Sequence, residues 1–558
     1  LFTTAMLLKG PNVKVTSTAS SSNRDNSYVV MDKDGNEAYA VWQEDTGDIW
    51  FTKSLNRGVS FETEVKVSEG IKGTNKNPCI ALDEPGNVYV IWENQNADKN
   101  SDIYLAKMDK GSAAFKTALV PIDTALGVSS NQTQPSIDVA NNGTAVISWI
   151  NQSASESGVY YAKSTDRANS LWQIALQQIR RIDDKTAISP ENPRVLMDAS
   201  SQNKFIAWSA VKNKMSIILF NKLDKDDMKA AANDIQVNDD SIGAHAKHPW
   251  LAATGNAAKK AALCIAWENE TGSDTNIFFD TSADGGTWGK DIQVNEDAQP
   301  PQAQKEPRVA INNNGDIFTA WSDYRNGDWD IYLAYSVTNG DSFKTNLIIN
   351  SDTGSATQDK PSLFLSPNGE TVTTSWTDYR GGKGEIFFSR NSISDENITY
   401  NTLVNDTTGA IVTASANNTE IEKTQVVIPG NAMKAPTNIS ITKVRFPPPF
   451  NNGEKLLNTV IDFGPSGTTF KQPVTIKIPY TQADLTEAGT TNPSSLKIYY
   501  YNLKTLVWEK ITTTYVDSVN QLACAEISHF SIFGLGFGGD SGGGGRGDPS
   551  GGHRRRPP

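Results

Sequence analysis

A tryptophan closes a strand-like run seven times in this chain, at Trp42, Trp92, Trp149, Trp208, Trp267, Trp321 and Trp376, with spacings of 50 to 59 residues. Such a period marks a repeat architecture, in which one unit cannot bury its own apolar face and must stack on copies of itself. Two copies read almost alike: WSDYRNGDWDIYLAYS from Trp321 to Ser336, and WTDYRGGKGEIFFSR from Trp376 to Arg390. The shared Asp-Tyr-Arg is therefore either chemistry or part of how the repeat is built.

Each tryptophan is approached in the same way, as in NPCIALDEPGNVYVIW, QPSIDVANNGTAVISW and EPRVAINNNGDIFTAW: a Pro, an alternating strand, a Gly or Asn turn and a second strand. That is a hairpin with period-two alternation on both arms. A polar loop and a third strand follow (DIYLAKM, NIFFDTS, DIYLAYS, EIFFSR), then a short outer strand (EVKVS, DIQVND, DIQVNE, NLIINS). Four antiparallel strands repeated seven times predict an all-β, seven-bladed β-propeller over residues 12–406, with the tryptophans packing blade on blade. The strand-like NVKVTS near the N-terminus resembles an outer strand, so closure of the ring by either terminus stays open.

Totals narrow the function classes. Among 558 residues the formal charge is −12, which argues against a nucleic-acid partner because no basic surface can displace counterions from phosphates. No apolar run reaches the roughly 20 residues of a membrane span, although LFTTAMLL at the start could be the remnant of an export signal. Cys79, Cys264 and Cys524 sit in apolar runs and read as buried small hydrophobes rather than a disulfide framework. No cofactor is called for. The spacing of MDKDGNEAY (Met31 to Tyr39) is faintly like a calcium loop, but a polar hairpin turn explains it, so no metal is expected.

Between third and fourth strands stand SLNRGVSF (Ser54 to Phe61), SADGGTW (Ser282 to Trp288) and SVTNGDSF (Ser336 to Phe343). These resemble, in degenerate form, the Asp-box (BNR repeat) of sialidase-like propellers of bacterial secreted or surface proteins. Physically each is a turn whose side-chain oxygen caps backbone amides while the aromatic tucks under the blade. The resemblance places these turns on the face opposite the ligands. A sialidase of that family would also bring an arginine triad, a Tyr–Glu pair and an Asp acid. Its first-blade Arg-Ile-Pro signature is absent here, where only Arg24 and Arg57 are offered.

The loops that lead into the inner strands, and those joining second to third strands, share one face of a propeller. By analogy with the family this is the ligand face. It collects Lys76, Glu191, Arg194, His248, Trp250, Glu306, Arg308 and Lys360, together with Asp323, Tyr324, Arg325, Asp378, Tyr379 and Arg380. Arg beside Asp forms bidentate pairs, so salt bridges locking adjacent loops are one reading. The other is a polar mouth for a glycan, an acidic sugar or a protein loop, with Trp250 as a stacking platform. Asp323 and Asp378 would be a hydrolytic pair only at the separations that glycoside hydrolysis needs.

After Asn405 the repeat stops, and short alternating strands with Pro/Gly punctuation predict a β-sandwich over residues 407–537. GPSGTTFKQPVTIKIPY within it resembles the β-sandwich of zonula-occludens proteins, ankyrins and netrin receptors. His529, Phe530 and Ser531 match the tripeptide at which some self-cleaving relatives cut, where a Ser hydroxyl attacks the preceding strained carbonyl. The strand-like setting needs no such chemistry. Residues 538–558 form a Gly-rich tail, expected to be flexible, in which Arg546, Gly547 and Asp548 spell an integrin-type tripeptide. The expectation is an extracellular or cell-surface protein, non-catalytic, binding glycan or protein ligands through the charged face. The alternatives are a self-associating structural subunit of an extracellular filament and a sialidase-like glycoside hydrolase.

Overall fold

The computed structural model describes residues 7–538 apart from 9–11, 17–20, 120–129, 165–178, 199–201, 240–243, 255–261, 297–301, 366–371, 415–420, 445–446, 448–453 and isolated loop positions. The tail beyond residue 538, with Arg546 to Asp548, lies outside the described residues, as does most of the 1–11 segment. The chain divides into two compact units, Leu1–Ser394 with Arg445–Pro449, and Asp395–Val444 with Phe450–Pro558. The division falls before the expected boundary at 406 because one 20-residue strand, Glu385–Val404, carries the end of the repeat onward with no turn residue to mark it.

The first unit is a seven-bladed propeller. Its inner strands are Arg24–Met31, Thr74–Leu82, Asn131–Val139, Ile188–Met197, Ala244–Ala253, Gln304–Ile311 and Gln358–Leu365, each opening a sheet of four antiparallel strands. In the seventh blade the fourth, outermost strand is N-terminal. Val13 and Lys14 pair with Phe388 and Phe387, so the N-terminus closes the ring.

All seven repeat tryptophans are fully buried. Each lies in a hydrophobic cluster shared with the preceding blade: Trp92 meets Val41 and Phe51, Trp208 meets Val146 and Tyr161, and Trp42 meets Ile386 and Phe388 of blade seven. A sheet with two apolar faces is stable only between neighbours, and losing such a side chain typically costs about 3–5 kcal/mol.

The turns after the third strands add a second tie between blades. Phe61 packs edge-on against Phe388, Trp288 against Phe220 and Phe343 against Phe279, each an aromatic of the preceding blade, with centroids 5.1–5.6 Å apart. Within the turns, Ser54, Ser282 and Ser336 Oγ accept the amides of Gly58, Gly285 and Gly340. Those glycines have φ near +85°, and a Cβ on any of them would overlap the neighbouring Phe ring. Phe115 on Phe51 is a further copy of the contact in blade two, which the sequence motif did not reveal. The Met31 to Tyr39 stretch is a hairpin turn in which Asp32 Oδ1 accepts the amides of Asn36 and Glu37. The three cysteines are free and buried.

The second unit is a β-sandwich. One sheet orders Thr437–Val444, Glu454–Gly464, Ile532–Gly538, Lys497–Asn502 and Val507–Lys510; the other orders Ala410–Thr413, Gln425–Ile428, Thr469–Pro479, Leu522–His529 and Tyr515–Asp517. Ile441, Phe463, Val474, Ile476, Ala525 and Leu535 fill the space between them.

Candidate functional site

Every inner strand of the propeller carries a bulge at the same place, between Asp25 and Tyr28, Lys76 and Cys79, Thr133 and Ser136, Glu191 and Arg194, Lys247 and Trp250, Lys305 and Arg308, and Asp359 and Ser362. Within each bulge one residue turns into the left-handed region: Asn26, Asn77, Gln134, Asn192, His248, Glu306 and Lys360, all with φ of 51–57°. None is glycine, so each is held at a cost of order 1–3 kcal/mol that the surroundings must over-determine.

Neighbouring blades supply that restraint. The amide of Asn77 donates to Gln43 Oε1, that of Asn192 to Gln134 Oε1, that of Glu306 to Glu268 Oε1 and that of Lys360 to Glu306 Oε2, at 2.6–3.0 Å. A proline follows at Pro78, Pro135, Pro193, Pro249, Pro307 and Pro361, with Ser27 in blade one, fixing the chain as it re-enters the strand.

The bulges ring the mouth of a cavity of about 330 Å³ on the propeller axis. The seven left-handed residues form its rim. Two residues further along each strand, Tyr28, Cys79, Arg194, Trp250 and Arg308 line its floor. Beneath lies a second cavity of about 200 Å³, whose walls include Ile137, Leu196, Leu251 and Leu365. Tyr28, Arg194 and Trp250 border both spaces, so they form the partition between them.

On the floor, the guanidinium carbons of Arg194 and Arg308 each lie 4.1 Å from the Trp250 ring centroid, arriving from the blades on either side, and the Tyr28 ring is 5.5 Å away. Burial and then the nearby charge of Arg194 push the Arg308 pKa down to about 10. At the rim, His248 Nδ1 is 2.8 Å from Glu268 Oε2, a hydrogen bond that raises the histidine pKa. Burial, then the charge of Glu306, lifts Asp359 to about 6.

Of the residues singled out in the sequence, Arg194, His248, Trp250 and Arg308 do converge on the mouth, with Glu306 and Lys360. Trp250, however, is not a free stacking platform: it is 7% exposed and its ring is engaged by two guanidinium groups. Lys76 and Glu191 are not among the lining residues; Lys76 pairs with Glu93 at 3.0 Å.

The residues of the two Asp-Tyr-Arg loops do not line the mouth, although the charges of Lys360 and Glu306 at its rim reach Tyr379. Asp323 and Asp378 are fully buried, and each accepts the indole N–H of the tryptophan two residues before it, at 2.8 and 2.9 Å. Each also receives two guanidinium bonds and the backbone amide from the arginine two residues after it, Arg325 or Arg380. The arginines lie over Tyr332 and Phe387 of the next strand. Each is a clamp within its loop that also ties to other segments: Arg325 donates to Asn346 Oδ1 at 3.0 Å and pairs with Glu296 of the preceding blade at 3.9 Å, and Arg380 donates to Asn12 Oδ1 at 3.4 Å. Tyr324 packs on Trp329 at 5.2 Å, and Tyr379 is partly buried. Arg24 is also structural: its side chain meets Glu44, Glu64 and Glu385.

Tyr28, Asn26, Asn77, Gln134 and Asn192 were missed. A polar residue followed by Pro, recurring within six of the seven inner strands, was the available signal for Asn77, Gln134 and Asn192; blade one, with Asn26 before Ser27, lacks it. In the sandwich, Phe530 is buried, its carbonyl accepts the amide of Gly467 at 3.0 Å, and Ser531 Oγ donates to the Tyr501 carbonyl at 2.6 Å. His529 sits edge-on to Tyr500.

Comparison with known proteins finds one matching family model, largely within the second unit. Residues 404–491 match the ZU5 domain, the sandwich type to which the sequence was likened. No curated protein matches the chain. Solved structures similar to it include the α-L-arabinofuranosidase Arb93A of Fusarium graminearum with an iminosugar inhibitor (11% identity, 69% of this chain and 98% of that one, TM-score 0.42). A PL25 ulvan lyase (10%, 68% and 95%, 0.47) and the Hadza microbial sialidase Hz136 (13%, 63% and 73%, 0.39) are others. At such scores nothing about ligand or activity follows from them.

Proposed function

We propose that this chain is an extracellular, non-catalytic protein that takes a glycan into the axial mouth of its propeller. The observation that carries the reading is the rim: amide side chains from four consecutive blades, Asn26, Asn77, Gln134 and Asn192, stand at matched positions around a cavity of about 330 Å³. Amides offer donors and acceptors together, which suits sugar hydroxyls, and the strained bulges hold them in place before a ligand arrives. Glycan-sized ligands fit clefts of this volume. The carboxylates best placed in sequence for hydrolysis, Asp323 and Asp378, are committed to arginine and tryptophan.

A glycan array probed with the labelled full chain tests this. Binding to a defined set of glycans is expected, weakened roughly 10-fold or more by Asn192→Ala combined with Gln134→Ala, in line with loss of two or more ligand hydrogen bonds. A folded chain that binds no glycan on the array would overturn the reading.

A further inference from the structure

Neighbouring blades are clasped at their outer strands, and three of the four clasps found among the described residues hold a cation. Between blades three and four, Asp234 Oδ2 accepts the amide of Asp184, while its Oδ1 meets Lys229 Nζ at 3.1 Å and the Asn221 side-chain amide at 2.9 Å. Between blades five and six, Asn346 Oδ1 accepts both Arg325 and the amide of Glu296. Between blades six and seven, Asn12 Oδ1 accepts Arg380 and the amide of Ser351. The clasp between blades four and five is different: Asp239 and Asp291 exchange amide bonds at 3.0 and 3.3 Å, and no cation pairs with either among the described residues.

Register sharpens the contrast. Phe220 pairs with Ile235 in blade four and Phe279 with Ile292 in blade five, so Asn221 and Asp280 hold the same place on their third strands. Where blade four sets an amide and an ammonium against its clasp, blade five sets a third carboxylate. Asp280 is 2% exposed and its Oδ2 is buried without a hydrogen-bond partner, as is Asp291 Oδ1. The lysines nearby in sequence do not compensate: Lys222 donates to the Asp284 carbonyl, and Lys290 forms no ion pair among the described residues. The charged groups acting on Asp291 are Asp239, across the seam, and Asp280, on its own blade. Three carboxylates so placed do not all ionise together: burial first, with repulsion from Asp239, holds Asp280 at about 6 and Asp291 at about 7.

We propose that the clasp between blades four and five is a proton-operated latch, closed while a proton is shared among Asp239, Asp280 and Asp291 and slack once it leaves. The proton supplies the charge that Lys229, Arg325 and Arg380 supply at the other three clasps, which therefore stay closed. The inference is independent of the glycan reading. The unfolded chain releases these protons near pH 4, so the latch's contribution is complete below that pH and is lost as pH rises through about 6 to 7. Phe220 against Trp288 and Arg194 against Trp250 cross the same seam without titrating in this range, so the ring stays shut and the loosening is local.

Amide hydrogen exchange of the full chain at about pH 5 and about pH 8, corrected for the intrinsic exchange rate, tests the latch. Protection of the Asp239 and Asp291 amides is expected to fall roughly 10-fold or more at the higher pH, while the clasp amides of Asp184, Glu296 and Ser351 keep theirs. Asp280→Asn, which copies Asn221 of blade four, should cut that response several-fold. The comparison among clasps uses only the unaltered chain, so it decides the matter even if the variant does not fold. Unchanged protection at Asp239 and Asp291, or an equal loss at all four clasps, would overturn the latch. So would protection at pH 8 that EDTA abolishes, which would make the missing charge a metal ion and not a proton. A folded Asp280→Asn chain with the full pH response would remove Asp280 from the latch and overturn the proposal in this form.

Discussion

Asp323 shows what a charged residue in a surface-loop motif can be for. Its carboxylate has no exposed surface and satisfies an indole N–H, a guanidinium fork and a backbone amide at once. Removing it strands a buried N–H and a charge, so Asp323→Ala should lower stability by about 3–5 kcal/mol in urea unfolding. Glycan affinity should not change, because the residue does not line the mouth. A weakened affinity at unchanged stability would show that the loop is part of the site after all. The clamp is not obligatory: the indole N–H groups of Trp149, Trp208 and Trp267 have no partner among the described residues, and the residues two further on are Asn151, Ala210 and Asn269. A motif repeated in only two adjacent blades looked like chemistry from the sequence because it is rare, charged and on the ligand face. Its partners are two residues away on either side, a proximity that sequence shows, but whether the group is buried is a property of the fold.

Among elements, the outer strands are linked by a clasp the sequence did not disclose. The residue opening an outer strand accepts the amide of the residue just after the outer strand of the preceding blade: Asp234 from Asp184, Asp291 from Asp239, Asn346 from Glu296 and Asn12 from Ser351. In the first two links the carboxylates also exchange bonds in the reverse direction, so two acids face one another. Burial, then the charges of Asp239 and Asp280, hold Asp291 at about 7 against an ordinary 3.8. The folded state therefore binds a proton that the unfolded chain releases near pH 4, and the stability this confers is lost as pH rises through about 7. Asp291→Asn, which copies the Asn346 and Asn12 clasps, should leave stability at pH 4 nearly unchanged. It should raise it at pH 8 by roughly 1–3 kcal/mol, allowing for partial exposure. Thermal melts of both proteins across that range check the sign. A variant less stable at pH 8 would mean that the ionised pair is favourable.

At the scale of the whole propeller, closure depends on a two-residue strand. Val13 and Lys14 complete blade seven, Val15 enters the cluster between blades seven and one, and Lys14 and Thr16 both reach Glu385. Glu385 in turn meets Arg24, the fully buried arginine that also holds Glu44 and Glu64 of blade one. Deleting residues 1–16 removes the outer strand and leaves three carboxylates sharing one arginine. The melting temperature should then fall by roughly 10 °C or more. The transition should broaden as the ring frays from blade seven, read by calorimetry. A truncated chain with an unchanged, sharp transition would show that the ring does not need this strand.

By itself the sequence determined the number of blades, their four-strand grammar, the tryptophans that pack them and the sandwich that follows. Each rests on local periodicity, and residues adjacent in sequence decide which face of a strand is apolar. It also named Arg194, His248, Trp250 and Arg308, because a charged or aromatic residue beside the recurring proline stands out in one dimension. Only the tertiary structure decided that these four meet on an axis while Asp323 and Asp378 do not, and that the N-terminus closes the ring. It alone showed that the two floor arginines stack on one indole ring. The mouth draws one short segment from each of seven blades 51 to 58 residues apart, so its charge balance exists only once the ring has brought those segments together.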